Sequence, residues 1–169
     1  VLTVDQRDSS RQPDRVAALL ADLAARPESF LRGFERTAGD EVQGVLDDAG
    51  QVVDLVLRLV REDAWSIGVG VGAVKDPLPE STRAGSGPAF VLAREAVNRA
   101  KSRPSGLAVH GESAGDAHRA QTALDLLAAT LHRRSDRGWE AVDLAASGLN
   151  QIEVAERLGI SKQAVSQRL

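Results

Sequence analysis

Cysteine, methionine and tyrosine are absent from the 169 residues, and aromatic side chains make up only 3% of them. Without cysteine there is no disulfide framework, no zinc-thiolate centre and no thiol nucleophile, which fits a cytoplasmic protein. With so few rings, the core must be assembled from Ala, Val and Leu. No apolar run approaches the ~20 residues needed to span a bilayer, and no signal-peptide pattern opens the chain. The chain starts at Val1 and stops within an expected helix, so both ends are expected to extend further. What remains is an ordinary globular composition, 43% hydrophobic and 27% charged, with a formal net charge of −3.

Val1–Val4 is a short apolar run ending in Asp5, the pattern of a buried strand that delivers a carboxylate at its tip. A polar loop, QRDSSRQP, follows. Asp14 can cap the next helix, which carries Val16, Leu19, Leu20 and Leu23 on one face, with Pro27 beyond its end. FLRGFERTAGDEVQGVL reads as two strands turning at Gly39-Asp40. Gly50–Glu62 shows mainly helical spacing, and WSIGVGVGAV, residues 65–74, alternates apolar residues with glycine. Gly68, Gly70 and Gly72 leave one face of that strand bare for close approach of a helix or another backbone.

Pro77 and Pro79 mark a long exposed loop over Lys75–Gly87. Pro88 suits the first position of a helix through AFVLAREAVNRAKS, Pro104 ends it, and LAVHG is a further strand. The order β-α-β-β-α-β-α-β describes an α+β, ferredoxin-like domain with an added edge strand, mixed pairing and helices on one face. That domain is expected over residues 1–112. A linker or dimerisation helix should occupy 113–135, with Ala120, Leu124, Leu127 and Leu131 spaced by three or four. His110, His118 and His132 are too dispersed for a metal cluster and are expected in surface or packing roles.

Residues 136–169 have the pattern of a helix-turn-helix. Such a unit needs a small residue where its helices touch, a glycine at the turn and apolar residues facing a shared core. Ala155, Gly159 and the set Val154, Leu158, Ile160 and Val165 meet those needs, with Ser161 placed to cap the second helix. Trp139, Val142, Leu144 and Gly148 outline a supporting helix. The segment resembles the helix-turn-helix of sigma-factor region 4 and of LuxR- and MarR-type regulators. Its outward positions are Ser161, Lys162, Gln163, Ser166, Gln167 and Arg168, suited to base edges and phosphates. From Asp136 onward four basic residues face five acidic ones, a net of −1. Phosphate neutralisation by one copy is therefore weak, and a homodimer on double-stranded DNA is expected.

Four segments of the first domain form a second constellation: Asp5 with the loop DQRDSS, the hairpin FERTAGDEVQGVL, the strand WSIGVGVG, and GSGPAFVLAR. Together they resemble the SatD-like family and, more distantly, the palm domains of class III nucleotidyl cyclases and GGDEF diguanylate cyclases. The resemblance spans about residues 1–110. It implies that Asp5 and Asp40 share a divalent metal such as Mg²⁺, and that backbone amides around Asp8, Ser9 and Ser10 hold the phosphates of a nucleotide. It also implies that Glu41 belongs to the site, that Arg36 takes the place of a hairpin lysine, and that Arg94 stabilises phosphoryl charge. Three departures stand against turnover. Phe90 occupies the position of the motif asparagine, the first-strand loop lacks its glycine, and the hairpin reads GDEV. The expected function is a dimeric DNA-binding transcriptional regulator whose first domain pairs copies and senses a nucleotide or phosphate ligand. The alternative is a nucleotide-processing enzyme of the cyclase class with an appended DNA-binding module.

Overall fold

The computed structural model describes residues 1–25 and 30–169; Pro27 lies outside them. The chain forms two compact units, Val1–Ala129 and Thr130–Leu169.

The first unit is built on a five-stranded mixed sheet. Its strands are β1 (Leu2–Gln6), β2 (Arg32–Ala38), β3 (Glu41–Val45), β4 (Trp65–Val71) and β5 (Leu107–Gly111). They lie in the order β2-β3-β1-β4-β5, with every pair antiparallel except β4 and β5. The first four reproduce the ferredoxin-like arrangement, and β5 extends the edge, as the element order predicts. The β2–β3 turn falls at Gly39, whose φ of +54° places it in the left-handed region.

Three helices alternate with the strands: α1 (Val16–Ala24), α2 (Ala49–Glu62) and α3 (Pro88–Ala100). Asp14 accepts a hydrogen bond from the Val16 amide at 2.8 Å, and Asp48 caps α2 through the Gln51 amide at the same distance. The helices do not share one face of the sheet. Successive strand side chains point to opposite sides. Leu2, Val4, Val42, Ile67 and Val69 form one side in register, facing the apolar stripes of α1 and α2. The other side carries Thr3, Asp5, Glu41, Gln43 and Ser66, all buried, together with Gly68 and Gly70. Helix α3 lies on that second side. Its Ala89, Ala93 and Val97 backbone occupies the space where Cβ atoms of Gly68 and Gly70 would stand. The bare glycine face expected from WSIGVGVG thus receives a helix, and it divides the helices between two layers.

The loop after β4 is less exposed than its prolines suggest. A single 3₁₀ turn at Thr82–Ala84 fastens it to β2: Thr82 is buried and donates to the Gly33 carbonyl at 2.6 Å, and Ser81 donates to Glu35 at 2.6 Å.

Helix α4 (Ala114–His132) covers part of the region assigned to a linker, yet most of it belongs to the first unit. Gln121 accepts from the Val109 amide at 2.8 Å, and Asp125 accepts from Ser105 at 2.9 Å and from Arg103. Leu124 and Ala128 are its buried residues, whereas Leu126 and Leu127 are exposed. The helix therefore seats along one row and leaves a leucine pair outside. None of the described helices is long and apolar enough to cross a membrane.

The second unit holds α5 (Asp136–Ala146), α6 (Gln151–Leu158) and α7 (Lys162–Arg168). Ala141, Val154, Ala155 and Val165 make its core, with Leu144, Ala145, Leu149, Leu158 and Ile160 packed against it.

Candidate functional site

Two places concentrate chemistry, one in each unit. In the second unit, each helix boundary is defined by local hydrogen bonding. Ser135 caps α5 through the Gly138 amide at 3.2 Å. Asn150 accepts from the Ile152 and Glu153 amides at 2.9 and 3.2 Å, while the Glu153 carboxylate accepts from the Asn150 amide at 2.8 Å. This reciprocal capping box could have been read from NQIE. Gly159, at φ +64° and ψ +35°, ends α6, and Ser161 caps α7 through the Ala164 amide at 3.2 Å. Three residues separate the two helices, so α7 is set across α6 by a turn that only a left-handed residue makes cheaply.

Val165 points into the core, which turns the remaining positions of α7 outward. Ser161, Lys162, Gln163, Ser166 and Gln167 are exposed, and Arg168 is half-buried. Four amide or hydroxyl groups and one ammonium thus share a solvent-facing surface free of acidic residues. Arg134 is engaged internally: it donates to the Arg168 carbonyl and, at 3.1 Å, to the Leu169 carbonyl, and its guanidinium lies 5.4 Å from the Trp139 ring centroid. With the boundary at Thr130, the unit has six basic and five acidic side chains, a net of +1 in place of −1.

In the first unit, Asp5 and Glu41 are paired across β1 and β3 on the α3 side of the sheet. Each carboxylate meets a cation from that helix. Lys101 Nζ lies 2.8 Å from Asp5, and Arg94 holds Glu41 through both terminal nitrogens, one of them at 2.7 Å. Thr37 adds a hydroxyl donor to Glu41. The Glu41 side chain is only 5% exposed, whereas that of Arg94 is 50% exposed. Lys101 escaped notice in the sequence, although it follows Arg94 by seven residues, two helical turns, and therefore lies on the same face.

The structure does not gather the remaining candidates around this pair. Arg36 pairs in register with Val42, on the opposite side of the sheet, and bonds Asp14 and the Gly39 carbonyl at 2.7 and 2.8 Å. Ser9 and Ser10 are exposed in the loop, and α1 begins only at Val16, so no helix N-terminus backs them. Asp40 sits at the hairpin tip, close enough to add its charge to Asp5. Phe90 packs on Gly85 and is buried. His110 faces Glu95 at 3.5 Å, and His118 is exposed.

This donor set does not fit Mg²⁺. Of the expected pair Asp5 and Asp40, Asp5 is already matched by Lys101, and the neighbouring Glu41 by Arg94; these cations would repel a divalent ion and must first be displaced. Among the described residues, no group of three or more His, Cys, Asp or Glu is placed to hold a metal. The cations proposed for phosphate are likewise engaged, Arg94 with Glu41 and Arg36 with Asp14. The arrangement is a charged clamp between sheet and helix.

Burial raises the Asp5 pKa above the usual carboxylate range; the Lys101 ammonium opposes this, and the charges of Asp40 and Glu41 reinforce it. The folded chain therefore holds the Asp5 proton more tightly than the unfolded chain does. The stability this proton confers is complete below the unfolded pKa and is lost as pH rises through the folded one. Urea unfolding of the wild type and Asp5→Asn, compared at about pH 3.5 and about pH 7, should show the variant gaining on the wild type at the higher pH. A difference that stays constant, or shrinks, contradicts the assignment.

Comparison with known proteins finds no matching family model, curated protein or solved structure.

Proposed function

We propose that the protein is a DNA-binding transcriptional regulator of the helix-turn-helix kind, acting on double-stranded DNA as a homodimer. The observation that carries this reading is the exposed face of α7. Lys162, Gln163, Ser166 and Gln167 point outward from a helix fixed by Val165, Gly159 and Ser161. Glutamine can give adenine two hydrogen bonds in the major groove, and Lys162 and Arg168 are suited to phosphate or guanine. A three-helix unit with this face has the dimensions and the chemistry of a groove reader.

Charge argues for two copies. A unit of net charge +1 supplies little counterion release alone, whereas a pair on adjacent half-sites doubles the phosphate contacts. Leu127 of the expected seam on α4 is exposed and adds apolar surface for that pairing.

The alternative, an enzyme of nucleotide phosphoryl chemistry, loses support from the paired carboxylates and from the placement of Arg36 and Arg94 on opposite sides of the sheet. Nucleotide sensing by the first unit stays subsidiary to the DNA-binding reading for the same reason.

The test is selection of bound sequences from genomic fragments by the full chain, followed by fluorescence anisotropy across a salt series. Gln167→Ala should weaken the selected site by about 1–3 kcal/mol and leave non-specific binding nearly unchanged. Lys162→Ala should weaken all sequences alike and lower the salt slope by about one. Absence of any salt-dependent binding at low ionic strength would overturn the reading.

A further inference from the structure

We infer that the first unit holds a binding site for a small apolar molecule that carries a cationic group. A cavity of about 460 Å³ opens where the sheet face of Val69 and Val109 meets the first turns of α2 and the middle of α4. Its size falls within the few hundred to one thousand Å³ typical of small-molecule sites. Val45, Val52, Val69, Val109 and Leu124 supply apolar walls from three strands and two helices. Val53 and Val71, which also line the cavity, are 36% and 57% exposed, so apolar surface remains in contact with water there. An occupant would remove it.

Charge selects the kind of occupant. No Lys, Arg or His side chain lines the cavity, but Asp47 and Asp48 both do. Asp48 is committed to capping α2. Asp47 is exposed and makes no hydrogen bond or ion pair among the described residues. An anionic ligand would meet two carboxylates; the basic group on the lining, the Val1 amino group, donates to the Gly70 carbonyl at 2.8 Å, and burial lowers its pKa to about 6, so that it is largely uncharged at neutral pH. A cationic head can sit against Asp47 while its apolar body fills the valine-lined space. This site lies on the sheet side opposite Asp5 and Glu41, and it does not depend on the DNA-binding reading.

The experiment is isothermal titration calorimetry on the full chain without DNA, using phenylbutylamine, phenylbutanol and phenylbutyrate. The three share one apolar body and differ in head-group charge. Affinity should fall in the order amine, alcohol, carboxylate, with the amine favoured over the alcohol by about 2–5-fold, the effect of one exposed ion pair. Asp47→Asn should erase that preference and leave the alcohol unchanged. Ala120→Phe, which narrows the cavity from α4, should abolish binding of all three, with folding checked by circular dichroism. Should that variant not fold, Val53→Phe narrows it from α2. The inference is overturned if folded wild type binds neither amine nor alcohol at millimolar concentration. It is equally overturned if the amine preference survives Asp47→Asn, or if binding survives both narrowing variants. A second copy covering the face, seen as a dimer by sedimentation that the narrowing variants dissociate, also overturns it.

Discussion

Gly70→Val is expected to cost about 3 kcal/mol or more and to leave the first unit largely unfolded under mild denaturant. The reason is the nature of the neighbours. A Cβ at this position would collide with the carbonyl oxygen of Ala89 and the amide nitrogen of Ala93, both main-chain atoms of α3. A side chain can rotate away from an intruding methyl group, but a helix backbone can move only as a body. Moving α3 would also separate Arg94 from Glu41 and Lys101 from Asp5. The control is Gly33→Ala on β2, where a Cβ meets nothing within 4 Å. That variant should lie within about 0.5 kcal/mol of wild type. Urea midpoints for the two variants decide the matter, and equal losses would mean that the α3–β4 contact is looser than described.

Arg94→Ala carries the second large effect. Glu41 is almost fully enclosed, so removing its guanidinium leaves a buried carboxylate with, among the described residues, the Thr37 hydroxyl for compensation. Breaking a buried pair in this way costs about 3–5 kcal/mol. Because Arg94 is itself half exposed, water can partly take its place, and about 2–3 kcal/mol is the better expectation. The double variant Arg94→Ala with Glu41→Gln should recover a good part of the loss, since the charge that needed a partner is gone. Chemical denaturation of the two single variants and the double variant forms a cycle that isolates the pair. No recovery in the double variant would show that Arg94 acts through packing of its aliphatic stem.

The element order was readable because each element carries a local signal. Turn glycine at 39, Pro88 at a helix start and the alternation of residues 65–71 act over a few residues, and the structure keeps all three. The C-terminal helices were equally open to reading, since Ala155, Gly159 and Ser161 each have one local job. What escaped was set by non-local pairing. The glycine face of β4 announced a close neighbour without saying which helix, so α3 and the other two helices were assigned to one layer. The counter-ions of Asp5 and Glu41 come from residues 96 and 53 positions away. The resemblance to palm domains directed attention to metal at Asp5 and Asp40 and to phosphate at Arg94, whereas the structure pairs Asp5 with Lys101 and Arg94 with Glu41. The apolar cavity left no motif at all, because the residues lining it come from separate elements and none is unusual within its own element.

The position of β1 in the sheet bears on how the protein is made. Leu2–Gln6 become a central strand, yet their neighbours β3 and β4 arrive only by Val45 and Val71. Chains grow at roughly 5–20 residues per second, so the β1 segment waits roughly 3–13 s for its second partner. During that interval Leu2 and Val4 have no sheet to join. A nascent chain of this topology closes late around β1, and the ribosome-bound stage is where an apolar β1 is most exposed to wrong partners.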